Sequence, residues 1–182
     1  MSNQIQTKKT NVLVISGDIS QIKADALITA INSEGMWYGG IDGVINKVAG
    51  NIFHQQAADK MPLKNEDTVV AKSNNQQHYG AFTNVIFVID DLKSPLHTII
   101  YKGLMAAHTS GFKTVTLPTI RMGVMLGVVE KTMQEAIDEM VEGVKSFLEL
   151  VPDELEQITF VVYNDPKVQH MLDNALKKMI TI

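Results

Sequence analysis

A polar loop joins two apolar elements in LITAINSEGMWYGGIDGVINKVAG, residues 27–50 of the chain. A strand-like apolar run ends at Asn32, and the loop after it carries Met36, Trp37, Tyr38, Gly39 and Gly40. From Ile41 onward, apolar residues recur at the spacing of one helical face, at positions 41, 44, 45, 48, 49, 52 and 53. The pattern predicts a strand, a glycine-containing loop, and a helix that carries Asp42 in its first turn and runs to about Lys60, ahead of Pro62.

The rest of the chain alternates in the same way between apolar runs and helical patterns. Short apolar runs predict buried strands over residues 11–16, 25–31, 68–73, 84–90, 113–118 and 157–163. Ser94 at a cap position and Pro95 in a first turn predict a helix that ends at Gly111. Two further amphipathic patterns predict helices over 129–148 and 168–179. This alternation predicts an α/β sandwich with helices on both faces of a largely parallel sheet.

Length and composition restrict the class of protein. With 182 residues, of which 45% are hydrophobic and 20% charged, the chain suits a single domain over 1–182 with a polar extension at 1–10. The net charge of −4 argues against binding nucleic acid or an anionic membrane through bulk charge. There is no cysteine, which excludes disulfides, a thiolate nucleophile and a cysteine-based zinc site. The polar first residues and the lack of an apolar run of about 20 residues predict a soluble cytoplasmic protein. The sequence does not predict its oligomeric state.

Glycines and polar residues cluster just past the predicted strand ends. They lie at Gly17 and Asp18, at 32–42, at 119–127, and at Tyr163 and Asn164. Ligands of open α/β sheets bind at the carboxyl edge of the strands, so these loops predict a crevice there. Two of the loops lead into predicted helices and favour phosphate groups, a diphosphate better than a single phosphate. Neither matches a Walker or a G-x-G-x-x-G motif, which disfavours a P-loop NTPase or a standard dinucleotide dehydrogenase.

Each of these residues also has a purely structural interpretation. Asp42 would be favourable in any first helical turn, Asn32 could satisfy a turn, and Asp18 could cap a helix. Tyr163, Trp37 and Tyr38 could be packing residues. The five histidines, at positions 54, 78, 97, 108 and 170, have no metal-ligand spacing, and we interpret them as scattered surface or helix residues. No metal site and no cofactor are predicted.

Taken together, these motifs resemble the macrodomain family, an ADP-ribose-binding module. GDIS at 17–20 resembles the family's G-D-I-T, and residues 24–50 resemble its A-D-A-I-V-N-A-A-N-S, glycine loop, V-D-G-A-I-H and A-A-G block in register. LPTIRMGVM at 117–125 is similar to the second loop, P-x-I-S-T-G-x-Y-G, and VVYNDP ends the last strand where the family places an adenine-stacking residue. The resemblance covers roughly 12–176 and implies a three-layer α/β/α sandwich with a mixed, largely parallel sheet.

The resemblance also implies roles for individual residues. Asp18 would bind the adenine amino group, Ile19 would pack beside it, and Tyr163 would stack on the ring. The backbone of Gly39, Gly40 and Ile41 would face the distal phosphate and ribose. The diphosphate would be wrapped from the other side by the second-loop residues Arg121, Met122, Gly123, Val124 and Met125. In the hydrolytic members, the amide matching Asn32 holds the distal ribose, and the acid matching Asp42 positions or activates water near its anomeric carbon.

Two functions from different classes follow. The register of Asn32 and Asp42 favours a hydrolase that acts on mono-ADP-ribosylated protein or on ADP-ribose 1''-phosphate. The departures from the family pattern, Thr29, the Met36-Trp37-Tyr38 triplet and Met125 with Leu126, favour a non-catalytic reader of ADP-ribose or a related nucleotide. A third interpretation is an α/β protein that has kept the fold and lost the nucleotide site.

Overall fold

The computed structural model describes residues 10–35, 40–123 and 125–181 of the chain. Its strands are β1 (Asn11–Ser16), β2 (Ala24–Ile31), β3 (Thr68–Lys72), β4 (Phe82–Ile89), β5 (Thr114–Leu117) and β6 (Gln157–Val162). Its helices are α1 (Gly40–Ala49), α2 (His54–Ala58), α3 (Leu96–Thr109), α4 (Met133–Leu150) and α5 (Pro166–Thr181), and a single 3-10 turn spans Ile19–Gln21. Within the described ranges, no helix combines the length and apolar character needed to cross a membrane.

The strands form one sheet in the order β1-β6-β5-β2-β4-β3, in which neighbours are parallel except for the antiparallel pair β3 and β4. Strand β2 lies between β4 and β5, and its apolar run is buried almost throughout because both faces of the sheet are covered. Ile28 packs in the core shared with α3, α4 and α5, whereas Leu27 and Ile31 pack in the core shared with α1 and α2. The three-layer α/β/α sandwich with a mixed, largely parallel sheet is therefore confirmed.

The helix predicted from Ile41 to about Lys60 is wrong in one respect, because the chain forms two helices there. Gly50 adopts φ +58°, a left-handed conformation that ends α1, and its N–H donates to the carbonyl oxygen of Asn46 at 2.8 Å. The chain then turns, and α2 begins at His54. The apolar spacing stays helical across the break because Phe53, in the turn, is as deeply buried as Ile45 in α1.

The starts of α3 and α4 also differ from prediction. Ser94 does not cap α3, since its hydroxyl is hydrogen-bonded to Glu66; the N–H of Leu96 instead donates to the Glu130 carboxylate at 2.9 Å. Helix α4 begins at Met133 rather than near 129, because the Thr132 side chain accepts from the backbone N–H of Glu135 at 3.1 Å and caps the helix there. The residues before Met133, including Glu130, therefore lie outside the helix.

Helices α3 and α4 approach closely at Gly143. A Cβ at that position would lie 2.6 Å from Cβ of Ile100 and 2.7 Å from the carbonyl oxygen of His97. Real Cβ contacts are not that short, and a backbone oxygen cannot rotate away. Glycine is therefore required for the packing of these two helices.

We expect Gly143→Ala to lower the melting temperature by several degrees. The overpacking cost of about 1–3 kcal/mol exceeds the gain of up to about 1 kcal/mol from replacing a helical glycine with alanine, and each kcal/mol shifts the melting temperature of a chain of this size by roughly 2–4 °C. Gly43→Ala in α1 is the matched control, because a Cβ there meets nothing within 4 Å. It should raise the melting temperature in the same calorimetric experiment. Equal stabilisation by both substitutions would contradict the close approach.

Candidate functional site

A cleft of about 820 Å³ opens at the carboxyl edge of the sheet, where the predicted loops converge. Ten of the predicted site residues line the cleft, and they come from four segments of the chain. They are Asp18, Ile19, Gly40, Ile41, Asp42, Arg121, Met122, Gly123, Met125 and Tyr163. Gly39, Val124 and the Met36-Trp37-Tyr38 triplet lie outside the described residues. A cleft of this size is in the range of small-molecule sites, which span about 300–1,000 Å³.

The strand order gives the cleft two distinct ends. Strands β1 and β6 are neighbours at one side of the sheet, so Asp18 and Tyr163, which follow them, lie at the same end. Strands β2 and β4 are neighbours toward the other side, and Asp42 and Asp90 follow them in the chain. The loop after β5 lies between the two ends. We name them the aromatic end (Asp18 and Tyr163) and the acidic end (Asp42 and Asp90).

At the aromatic end, a short turn fixes Asp18. Its Oδ1 accepts hydrogen bonds from the backbone N–H and the hydroxyl of Ser20, at 2.9 and 2.7 Å, so Asp18 is the cap of the 3-10 turn. Ile19 is buried beneath the turn at 5% exposure. Tyr163 is 78% exposed, which excludes the interpretation of this residue as part of the core. An exposed aromatic wall and a fixed polar turn therefore face the same end of the cleft.

In the middle of the cleft, two glycines offer room for a ligand. Gly40 begins α1 and Gly123 lies in the loop after β5, and a Cβ at either position would meet nothing within 4 Å. Packing therefore does not require glycine at either place. The first backbone N–H groups of α1 have no partner within the helix, and this end of the helix dipole attracts anions.

At the acidic end, Asp42 is buried and paired with a histidine. Asp42 lies in the first turn of α1 and is 2% exposed, yet it lines the cleft. Its Oδ1 lies 2.8 Å from Nε2 of His54 in α2, which is itself 6% exposed. The interpretation of the histidines as scattered surface or helix residues missed this pair: His54 is in a helix, but it is buried against the candidate site.

Arg121 is buried in a carboxylate network under the second loop. Its Nε and Nη2 donate to the two carboxylate oxygens of Asp90 at 3.0 and 2.7 Å, and its Nη1 donates to Glu130 at 2.8 Å. Burial alone would lower the pKa of the guanidinium, but the hydrogen bonds and the charges of Asp90 and Glu130 outweigh it and raise that pKa above its ordinary value. The side chain is thus a permanent cation that two carboxylates hold in place.

Asn32 is not among the residues that line the cleft. Its side-chain oxygen accepts from the N–H of Glu34 at 3.1 Å and its carbonyl oxygen accepts from the N–H of Gly35 at 3.0 Å, which is the turn-forming role that we weighed as its alternative. A role for Asn32 on a ribose stays a prediction.

Besides His54, sequence reasoning missed Asp90 at the acidic end. Asp90 follows β4 and lines the cleft, and the signal for it was the one that we used for Asp18, a carboxylate just past a strand. No sequence signal indicated His54, because twelve positions of unbroken helix would place its Cα about 18 Å along the axis from that of Asp42.

Known proteins resemble the chain at moderate identity. No protein-family model matches it. It is 28% identical over 168 residues to an O-acetyl-ADP-ribose deacetylase of Escherichia fergusonii, covering 86% of this chain and 90% of that protein. An uncharacterized protein of Aquifex aeolicus is 25% identical over 162 residues, which cover 87% of this chain and 94% of that one.

Solved structures match the whole architecture. The Trypanosoma brucei macrodomain in complex with ADP superposes with a TM-score of 0.77 at 17% identity, covering 91% of this chain and 69% of that one. The Oceanobacillus iheyensis macrodomain with ADP has a TM-score of 0.73 at 17% identity, covering 92% and 90% of the two chains. The resemblance of the sequence to the macrodomain family is thus confirmed at the level of the structure, and the chain has the macrodomain fold.

Proposed function

We propose that the chain binds ADP-ribose in the cleft and hydrolyses an ADP-ribose derivative at the distal ribose. The observation that carries the proposal is the position of Asp42, which lines the acidic end of a nucleotide-sized cleft from the first turn of α1. The relative from Escherichia fergusonii is named for hydrolysis of an ADP-ribose ester, and solved macrodomains hold ADP or ADP-ribose. These likenesses support the same ligand here.

The two ends of the cleft suit the two ends of such a ligand. Adenine would lie against Tyr163 at the aromatic end, beside the Asp18 turn. The diphosphate would lie in the middle, where the start of α1 supplies backbone N–H groups and Gly123 leaves room. The distal ribose would then reach the acidic end, where Asp42 lies.

The chemistry proposed at the acidic end is general-base catalysis. Asp42 would orient a water molecule and accept its proton as the water oxygen attacks an electrophilic carbon, the acyl carbon of an ester or the anomeric carbon of a glycosidic bond. The bond from that carbon to the leaving group would break, and the leaving group would depart with the bonding electron pair and take up the proton. The backbone around the cleft would contribute position rather than reacting groups.

The charges at the acidic end support one of the two substrate classes that the sequence left open. Arg121 is a buried cation there, and Asp90 and Glu130 together exceed its charge by one, while the exposed Lys47 lines the cleft as a second cation. Asp42 adds a further carboxylate that lines the cleft. A phosphate on the distal ribose would meet these like charges, so an uncharged ester or a protein-linked ADP-ribose fits better than the 1''-phosphate.

Binding is tested first at the aromatic end. Tyr163→Ala should weaken ADP-ribose binding by about tenfold or more, because stacking of a base on an aromatic side chain contributes about 1–3 kcal/mol. The melting temperature of the free protein should not change, since Tyr163 is 78% exposed. Titration calorimetry measures the affinity, and Tyr79→Ala, at a tyrosine that is 87% exposed and not among those lining the cleft, is the matched control. Equal affinity of the two variants would place adenine elsewhere.

Turnover is tested at Asp42. Asp42→Asn keeps the shape and an acceptor oxygen for His54 but removes the base, so turnover of ADP-ribosyl esters or ADP-ribosylated protein should fall by about 10²–10⁴-fold while ADP-ribose affinity changes little. Asp59→Asn, at an exposed carboxylate beyond α2, is the control and should act as the wild type does. Undiminished turnover in Asp42→Asn would remove Asp42 from the mechanism. Binding without turnover in the wild type would support the non-catalytic reader instead.

Substrate class is tested by a direct comparison. The wild type should hydrolyse O-acetyl-ADP-ribose with a kcat/KM at least about tenfold above that for ADP-ribose 1''-phosphate, since a repulsion of about 1.4 kcal/mol suffices for that ratio. Release of acetate and of inorganic phosphate measures the two reactions. Preference for the phosphate ester would show that the excess carboxylate charge does not reach the bound ligand.

A further inference from the structure

Asp42 and His54 form a buried pair at the boundary between the cleft and the core. Asp42 lines the cleft, whereas His54 is not among the lining residues and contacts Asp42 from behind, with Nε2 2.8 Å from Oδ1. The two side chains are 2% and 6% exposed. His54 is therefore not a surface residue, and it is not among the residues that line the cleft.

The chain reaches this contact only through a reversal of direction. The left-handed Gly50 ends α1, the turn that follows buries Phe53, and α2 then presents His54 toward the start of α1. A continuous helix would hold the two residues about 18 Å apart along its axis. The contact is thus made possible by the helix break.

The imidazole is held in one orientation. Its ring packs against Phe87 of β4 with centroids 4.8 Å apart, and the neighbouring Phe53 fills the core against Phe82 with centroids 5.6 Å apart. Phe87 and Phe53 are both fully buried. His54 therefore has a fixed place from which to hold the carboxylate.

Burial, orientation and distance together define a role for His54. An ionised carboxylate only accepts hydrogen bonds, so the contact requires a proton on Nε2 of His54. The terminal torsion of an aspartate side chain has a broad distribution, so it does not by itself fix the orientation of the carboxylate oxygens. We propose that His54, as the Nε2–H tautomer, is a positioning residue that fixes the carboxylate plane of Asp42 toward the cleft.

This inference rests on the proposed function, because it assigns His54 to the same hydrolytic step. A base that a third group orients is the general arrangement of activated acid–base sites. A histidine that merely fills the core would stabilise the fold without affecting turnover.

Three variants separate positioning from packing. His54→Leu removes the donor at similar volume and should lower kcat by about tenfold or more with KM within about threefold. His54→Gln restores an N–H donor of similar reach and should recover most of that kcat, even where both variants lower the melting temperature alike. His97→Leu, which breaks the comparable 2.7 Å contact with Glu139 between α3 and α4, is the control and should leave kcat unchanged.

Several outcomes would overturn the inference. Equal loss of kcat in His54→Leu and His54→Gln would indicate packing, and a change in KM alone would indicate a role in binding. A wild type without turnover would refute the proposed hydrolysis and the positioning role with it, whereas an active wild type with fully active His54 variants would refute only the positioning role.

A second measurement needs no variant of His54 to fold. Nitrogen-15 spectra of the wild-type imidazoles should show His54 protonated at Nε2 and unprotonated at Nδ1. The opposite tautomer, with the proton on Nδ1, would overturn the inference, because Nε2 could then not donate to Asp42.

Discussion

The buried guanidinium of Arg121 is the constraint on which the rest of the site depends. It joins Asp90 at the end of β4 to Glu130 before α4, and Glu130 also accepts from the first N–H of α3. A single charge network therefore ties together a strand end, the loop after β5 and the starts of two helices. Removing one partner from such a network leaves an uncompensated buried charge, which costs about 3–5 kcal/mol.

This network also holds the shape of the loop after β5. Arg121 adopts φ +62°, a strained conformation for a residue with a side chain, and five hydrogen-bond donors on a planar group allow it to hold two carboxylates at once. The Arg121 side chain is held by Asp90 and Glu130, and the neighbouring Met122 and Gly123 line the cleft. Since the side chain is engaged by Asp90 and Glu130, any contribution of Arg121 to a bound diphosphate would come from its backbone.

The two ends of the cleft follow from the order of the strands rather than from their sequence. Strands β1 and β6 are neighbours although they open and close the sequence of strands, and this brings the Asp18 turn beside Tyr163. Strands β5 and β2 lie between β6 and β4, so the loops that follow β1 and β6 are separated along the sheet edge from the loop that follows β4.

The sequence by itself determined the elements and the edge at which the site lies, since apolar periodicity reports burial and polar residues past strand ends report the ligand-binding edge of a parallel sheet. The sequence predicted strands near 11–16 and 84–90, and it predicted Asp18, Asp42 and Tyr163 in the loops that line the cleft. Only the tertiary structure decided what lies behind that edge. The pairing of Asp42 with His54 and the Glu130 cap on α3 join residues 12 and 34 positions apart, and local periodicity carries no information about which buried polar groups meet.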